Sequence, residues 1–308
     1  MQPTYPPLSI LIPIYRYDCE KLLKALISQA EALSLQYEIV LGNDCSGAEW
    51  ETLYTSYSSL SSHIRVYHSL ENLGAGRMRN RLVEQARYDY LLMLDSDVLP
   101  SIPNFLSTYL SHADPETVVV GGFMYSRDDL SESRLLRYYY GCLVESKPAE
   151  ERNTDPYRSF IAMSVLAPLS VMQLVAYPQE MGMGYEDARF GFSLKQARIK
   201  VHHIHCPVTH SLKETSMEFL STTRRYIRNL HKHQNILRPC GIKLLDTFDL
   251  VKRLGLVPLC SLKWKILRPF LEKQLCSRRP SMRLFALYKL LYLSSVAQSA
   301  KCPSPSST

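Results

Sequence analysis

A chain of 308 residues with 46% hydrophobic and 21% charged residues has the composition of a soluble globular protein with ample core, built as one large or two modest domains. Its net charge of +7 is uneven: from Cys240 onward 12 Lys and Arg face 3 Asp and Glu, which leaves 24 basic and 26 acidic residues before it. A near-neutral body with a basic tail argues against a nucleic-acid partner, whose positive patch would lie on the folded domain, and gives the tail a polyanionic partner instead.

No run approaches ~18 apolar residues, so no transmembrane helix is expected. The opening Met1-Gln2-Pro3-Thr4-Tyr5-Pro6-Pro7 has neither the basic nor the apolar region of a signal peptide. Eight Cys stand singly with no Cys-x-x-Cys pair, which predicts reduced, mostly buried thiols and a cytoplasmic location.

In chain order, Leu8–Ile14 reads as a buried strand closed by Pro13. Asp18 is placed to cap a helix whose apolar stripe is Leu22, Leu23, Leu26, Ile27, Ala30 and Leu33. Tyr37–Leu41 is the next strand and ends in Gly42-Asn43-Asp44-Cys45-Ser46-Gly47. A helix from Ala48 to Ser59, a short strand Ile64–Tyr67 and a helix from Asn72-Leu73-Gly74 to about Arg87 follow. Leu91–Leu94 is a strand buried on both faces, then come a helix over 102–111 and a strand over 118–123. Alternation at these lengths implies parallel βαβ crossovers.

The strand at Leu91–Leu94 runs straight into Asp95-Ser96-Asp97. Two carboxylates beside an apolar strand carry a desolvation cost and a repulsion cost, and a divalent cation removes both. Asp at i and i+2 of an extended segment present hard oxygens to one side, as Mg2+ or Mn2+ requires. Alone, such a pair more often turns the chain and caps the next helix. Here it has company at the carboxyl ends of neighbouring strands: Tyr15-Arg16 after the first and Asn43-Asp44 after the second. Open parallel sheets bind nucleotides at those ends. No Gly-x-Gly-x-x-Gly and no Gly-Lys-Ser/Thr follows the first strand, which argues against NAD or ATP. Arg77 and Arg79, beside Gly74-Ala75-Gly76, are either solvated cations at a helix start or, for Arg79, a diphosphate contact.

Ile12-Pro13-Ile14-Tyr15, Asn43-Asp44-Cys45-Ser46, Asn72-Leu73-Gly74, Arg79-Asn80, Leu94-Asp95-Ser96-Asp97 and Glu186-Asp187 occur in one order over about the first 210 residues. This series resembles the family 2 glycosyltransferases. The resemblance implies an α/β GT-A fold, a Rossmann-like, mostly parallel sheet flanked by helices, with a helical basic extension after it. It implies an inverting enzyme in which Pro13, Tyr15, Asn43, Asp44, Arg79, Asp95 and Ser96 bind a nucleoside-diphosphate sugar of the UDP or GDP type. Asp97 and Asp95 hold Mn2+ or Mg2+, joined by His210, with His205 as the alternative. Asp187 is the base that deprotonates a hydroxyl of a glycan or lipid-linked acceptor in surface polysaccharide synthesis, and Glu186 orients that acceptor. Asn43 stands where the family has Asp, and Cys45 where it has Gly. Two rival readings are a non-catalytic sugar-nucleotide or glycan binder on the same fold, which Asn43 and Cys45 favour, and a nucleotidyltransferase. The latter needs a Gly-rich basic loop after the first strand, and none is present.

The implied organisation is a glycosyltransferase domain over 1–239, with a nucleotide half at about 1–125 and an acceptor half at about 126–239, and an extension over 240–308. In the acceptor half, Leu130–Val144 reads as an aromatic helix whose Tyr138-Tyr139-Tyr140 are packing residues or sugar platforms. Glu145–Arg158 reads as an irregular, mobile loop. Phe160–Ala167 is a strand, with a helix after Pro168. Gly182-Met183-Gly184 is a flexible lead into a helix beginning near Asp187, where the helix dipole by itself lowers a carboxylate pKa. His202, His203, His205 and Cys206 on and after the strand 199–204 lack the spacing of a zinc site; alternation puts His203 and His205 on one face.

A polar helix over 217–234 follows. The tail offers three apolar stretches threaded with Lys and Arg, 250–262, 264–275 and 282–293. With Trp264, Phe270 and Phe285 they read either as helices packed on the protein or a partner, or as a peripheral anchor on an anionic membrane surface. Ser299–Thr308 reads as disordered, and nothing in the sequence bears on oligomeric state.

Overall fold

The computed structural model describes residues 5–128, 130–181 and 184–301. The chain order is β1 (Leu8–Ile14), α1 (Glu20–Ala32), β2 (Tyr37–Asn43), α2 (Ala48–Ser56), β3 (Ile64–His68), α3 (Ala75–Gln85), β4 (Tyr90–Leu94), β5 (Val98–Pro100), α4 (Phe105–Leu110), β6 (Thr117–Val120) and β7 (Phe123–Tyr125). It continues with α5 (Leu135–Tyr140), α6 (Ala149–Thr154), β8 (Ser164–Pro168), α7 (Leu169–Leu174), α8 (Glu186–Gln196), β9 (Lys200–His203) and β10 (Val208–His210). Helices α9 (Ser216–Lys232), α10 (Gln234–Leu237), α11 (Lys243–Arg253), α12 (Val257–Leu275) and α13 (Met282–Lys301) complete it.

The described residues group into two compact units that interleave along the sequence: Met1–Tyr125 with Ser146–Ser211, and Ser126–Glu145 with Leu212–Thr308. The stretches 126–145 and 212–239, read from sequence with the acceptor half, thus group by contact with the tail helices.

The first unit is organised on a seven-stranded sheet of order β3-β2-β1-β4-β8-β6-β9. β1 and β2 are buried along all their residues, as strands covered on both faces must be. β1, β2, β3 and β4 run parallel, and β6 runs parallel to β9. Between them β8 is antiparallel to both neighbours. An apolar run reads the same in either direction, so periodicity alone does not reveal that reversal.

A second sheet of order β5-β10-β7 includes β5, which begins just beyond Asp97 in sequence. β5 pairs antiparallel with β10 so that Val98 sits opposite His210, and β10 pairs parallel with β7 so that His210 sits opposite Tyr125. One core runs from Leu11 and Val40 through Met78, Leu91 and Met93 to Val165, Tyr177 and Phe190. Gly42 permits close packing there, since a Cβ on it would meet Met78 Sδ at 2.7 Å.

The stretch 145–158, expected to be loose, contains α6, and Arg152 pins it. Its buried guanidinium donates to the carbonyls of Val120 at 3.2 Å, Gly121 at 3.3 Å and Ile204 at 2.9 Å, and to His203 Nδ1 at 2.7 Å. His203 Nε2 lies 2.9 Å from the Pro156 carbonyl, and burial pulls its pKa down to about 4. These bonds satisfy buried groups at the ends of β6 and β9 and tie the α6 stretch to both. Gly182, Met183 and residues 302–308 lie outside the described residues, whereas Ser299–Lys301, expected to be disordered, end α13.

The second unit is helical. Leu136, Phe219, Leu220, Trp264, Leu271, Leu275, Phe285, Tyr288 and Leu291 form its core. Tyr140 packs edge-on against Phe285 at 5.2 Å, and the Tyr138 hydroxyl accepts from Arg127 Nε at 3.1 Å, so both serve packing. The seven described cysteines are free thiols, and three are buried, Cys19, Cys206 and Cys240, fewer than expected.

Candidate active site

The carboxyl ends of β1, β2 and β4 carry the residues that the strand pattern singled out. Pro13 is the buried penultimate residue of β1, and Tyr15, just past it, is 47% exposed with the Arg16 guanidinium 5.1 Å above its ring. At the end of β2, Asn43 is fully buried. Its Oδ1 accepts from the Ser46 N–H at 3.1 Å and its Nδ2 lies 3.1 Å from His68 Nδ1, so its amide braces the strand end.

Asp44 accepts from the Leu73 N–H at 2.6 Å and from the Gly74 N–H at 2.8 Å. That pair of bonds fixes the turn into α3, whose N-cap Gly74 has φ 79°, a backbone that favours glycine. α3 in turn delivers Arg79, only 4% exposed. The sequence alternative of a solvated cation is therefore overturned. Arg79 Nη2 is ion-paired to Asp95 Oδ1, and its guanidinium lies 5.4 Å from the Tyr177 ring centre. Burial opposes its charge, but Asp95, Tyr177, Asp187 and Glu186 together hold its pKa above the ordinary arginine value.

Asp95, Ser96 and Asp97 are all half-buried. Burial pushes the Asp95 carboxyl upward, Arg79 pulls it back, and Asp97 adds to the rise, leaving it raised. Asp97 is 35% exposed at its side chain, and its Oδ2 lies 3.3 Å from His210 Nε2. The short second sheet makes that meeting: the Val98–His210 register and the bond from the Ser211 N–H to the Asp97 carbonyl at 3.1 Å set the two side by side. The Tyr125 ring stands edge-on to His210 at 5.5 Å. His205 is exposed and takes no part in this pairing.

The donor chemistry here fits a hard divalent cation: a carboxylate oxygen and an imidazole nitrogen, with Asp95 held behind them. Among the described residues, no three His, Cys, Asp or Glu converge. A cation at Asp97 and His210 would therefore take its other positions from water and phosphate oxygens, as Mg2+ sites commonly do.

Glu186 and Asp187 open α8 from Tyr185, which is left-handed at φ 69°, an uncommon backbone for a bulky residue. Asp187 Oδ2 accepts from the Ala162 N–H at 3.1 Å. Its Oδ1, and Glu186 Oε2, are buried with no hydrogen-bond partner. Burial and then Glu186 push the Asp187 pKa up to about 7, against the opposing pull of Arg79. Glu186 is also raised, chiefly by burial. The helix dipole expected to lower these groups loses to desolvation.

Tyr177 was not singled out by the sequence. It is 1% exposed, stacks on Phe190 at 4.0 Å and is held by Asn80, whose side chain bonds its N–H and its carbonyl, each at 2.9 Å. Its hydroxyl is buried and unpartnered. Asn80 was the only local signal, since the two lie 97 positions apart.

A mostly parallel sheet with its polar cluster at the strand ends is a GT-A-like fold, and solved structures agree. A mannosyltransferase, PcManGT of Pyrobaculum calidifontis, solved with GDP-Man and Mn2+, superposes with a TM-score of 0.64 at 12% identity, over 98% of this chain and 89% of that one. Residues 1–349 of S. aureus TarS with UDP-GlcNAc give 0.50 at 16% identity, over 96% and 91%. The profile described as Glycosyl transferase family 2 matches residues 9–169, more than half the chain. The protein belongs to glycosyl transferase family 2, a family of glycosyl-transfer enzymes. Two curated relatives share part of it. Escherichia coli (strain K12) WcaA, named as a colanic acid biosynthesis glycosyl transferase, is 28% identical over 40% of this chain and 43% of its own length. Bacillus subtilis (strain 168) EpsH, named as a glycosyltransferase, is 27% identical over 37% and 33%. The chain thus matches less than half the length of either.

Proposed function

We propose that the protein is an inverting, metal-dependent glycosyltransferase. It moves a sugar from a UDP- or GDP-linked donor to a hydroxyl of a glycan or lipid-linked acceptor in surface polysaccharide synthesis. The observation that carries this is Asp187: a half-buried residue at a helix start, with one carboxyl oxygen buried and unpartnered and a pKa of about 7. A general base works best when its pKa lies near the working pH.

Asp187 takes the proton of the acceptor hydroxyl as that oxygen bonds to C1 of the donor sugar from the face opposite the leaving group. The C1–O bond to the diphosphate breaks, and the nucleoside diphosphate departs with the electron pair. Glu186 orients the acceptor. Arg79 holds Asp95 and limits the rise of the Asp187 pKa, so one buried cation serves both the donor and the acceptor ends. Tyr15 and the turn around Asp44 bind the nucleoside in this reading, and Asn43 acts by bracing that turn. Asp97 and His210 would hold Mn2+ or Mg2+, which supplies charge neutralisation for the departing diphosphate. The GDP-Man and Mn2+ of one structural neighbour and the UDP-GlcNAc of another support the donor class, and the names of the curated relatives support the pathway class. Residues 1–125 serve the donor, 126–239 the acceptor, and 240–308 are an extension.

The test is a panel of nucleotide sugars with Mn2+, read as donor hydrolysis and release of UDP or GDP. Turnover of at least one donor, abolished by chelation, is expected. Binding of a donor with no turnover of any would replace this reading with that of a sugar-nucleotide-binding protein.

A further inference from the structure

Helix α12 departs from the rule for a surface helix. It buries Val257, Ser261, Trp264, Leu271 and Leu275, and a helix buried on one face normally carries polar residues on the other. Instead Leu259, Leu262, Ile266 and Phe270 are 47%, 55%, 57% and 69% exposed. Their spacing of three, four and four puts them along one face. At the end of α11, Leu250 and Leu254 add 54% and 62% exposure.

Charge identifies the partner. Lys263, Lys265 and Lys273 are exposed on the same helix, and Lys252 and Arg253 beside Leu254. The one acid of α12, Glu272, is already engaged by Arg224, Arg268 and Tyr288. The stripe is therefore rimmed by cations that no exposed acid of α12 offsets. Trp264 and Phe285, which the sequence suggested as membrane anchors, are 6% and 2% exposed and belong to the core. Among the described residues no helix is long and apolar enough to cross a membrane.

An exposed apolar stripe flanked by lysines matches a surface of anionic headgroups over an acyl boundary. We infer that the exposed face of α12 docks the second unit on an anionic phospholipid bilayer, with Leu259, Leu262, Ile266 and Phe270 entering the acyl boundary and the lysines meeting the headgroups. This stands independently of the glycosyl-transfer reading.

Flotation of the full chain with vesicles tests it. Vesicles of phosphatidylglycerol mixed with phosphatidylcholine should carry the protein, and vesicles of phosphatidylcholine alone should not. Association should fall as ionic strength rises well above ~0.15 M. The double variant Ile266→Glu/Phe270→Glu should lose at least about tenfold in binding. Lys263→Glu/Lys273→Glu, which alters only exposed polar positions, should also weaken it. Equal binding to both vesicle types, or undiminished binding by the Ile266/Phe270 variant, would overturn the inference. So would a wild-type chain that ignores vesicles and self-associates through this face, becoming monomeric in that variant.

Discussion

The two units depart from the usual partition of residues in opposite directions. The first withdraws charge: Asp95, Asp97, Glu186 and Asp187 are half-buried at strand and helix ends, with Arg79 behind them. The second exposes apolar surface, with Phe270 and Ile266 more than half in water. Clustering carboxylates away from water and exposing a large apolar side chain both cost free energy in the isolated chain. In each unit the cost is confined to one side of an otherwise well-packed element. β4 is buried through Leu91–Leu94 before reaching Asp95, and α12 packs Trp264 inward while Ile266 faces solvent. Local departures on sound scaffolds point to missing partners: a cation with a diphosphate sugar in one unit, a lipid surface in the other.

Substitutions can break or sharpen that contrast. Trp264→Ala should cost about 3–5 kcal/mol by opening the helical core, whereas Ile266→Glu, two positions away, should stay within about 0.5 kcal/mol; denaturant melts of the two variants decide it. Arg79→Met should destabilise by about 2 kcal/mol, because it strips the counter-charge from the half-buried Asp95 carboxylate. Since Arg79 lowers the Asp187 pKa, the acid limb of any turnover profile should also move above its wild-type midpoint. Asp97→Asn should weaken Mn2+-dependent donor binding by at least roughly tenfold, about 1.4 kcal/mol, as read by calorimetry with and without chelator.

For Asp187 the dependence of stability on pH has a definite sign. Asp187 has a folded pKa of about 7, above the ordinary ~3.9 of an unfolded aspartate. The native state therefore binds this proton more tightly than the unfolded chain does. The stability this gives is complete below about pH 4 and is lost as pH rises through about 7. Asp187→Asn keeps a neutral group at every pH. It should match wild type in stability at acid pH and exceed it by up to about 4 kcal/mol at pH 8, seen as a widening gap in melting temperature.

Much of the first unit was legible in sequence. Apolar runs ending in Asn43-Asp44 and Asp95-Ser96-Asp97 marked the strands and their functional ends, because a doubly covered strand admits polar residues earlier only where they pair, as Ser9 and Glu38 do. His210 could be matched to a family position, but its reason, the pairing of Val98 with His210 across a three-residue strand, is a long-range register with no local pattern. Tyr177 was invisible for the same cause. The sequence left the Asp187 pKa open, because the helix dipole is readable from sequence and burial is not. In the tail, periodicity located the segments, but α12 is apolar on both sides, so it could not say whether Trp264 or Phe270 faced inward.

The most direct test of the central claim compares Asp187→Asn with wild type on one turned-over donor, measuring donor affinity and turnover together. Donor binding within about threefold of wild type, with turnover down by at least ~100-fold, is the predicted result. Transfer by Asp187→Asn at the wild-type rate would contradict it.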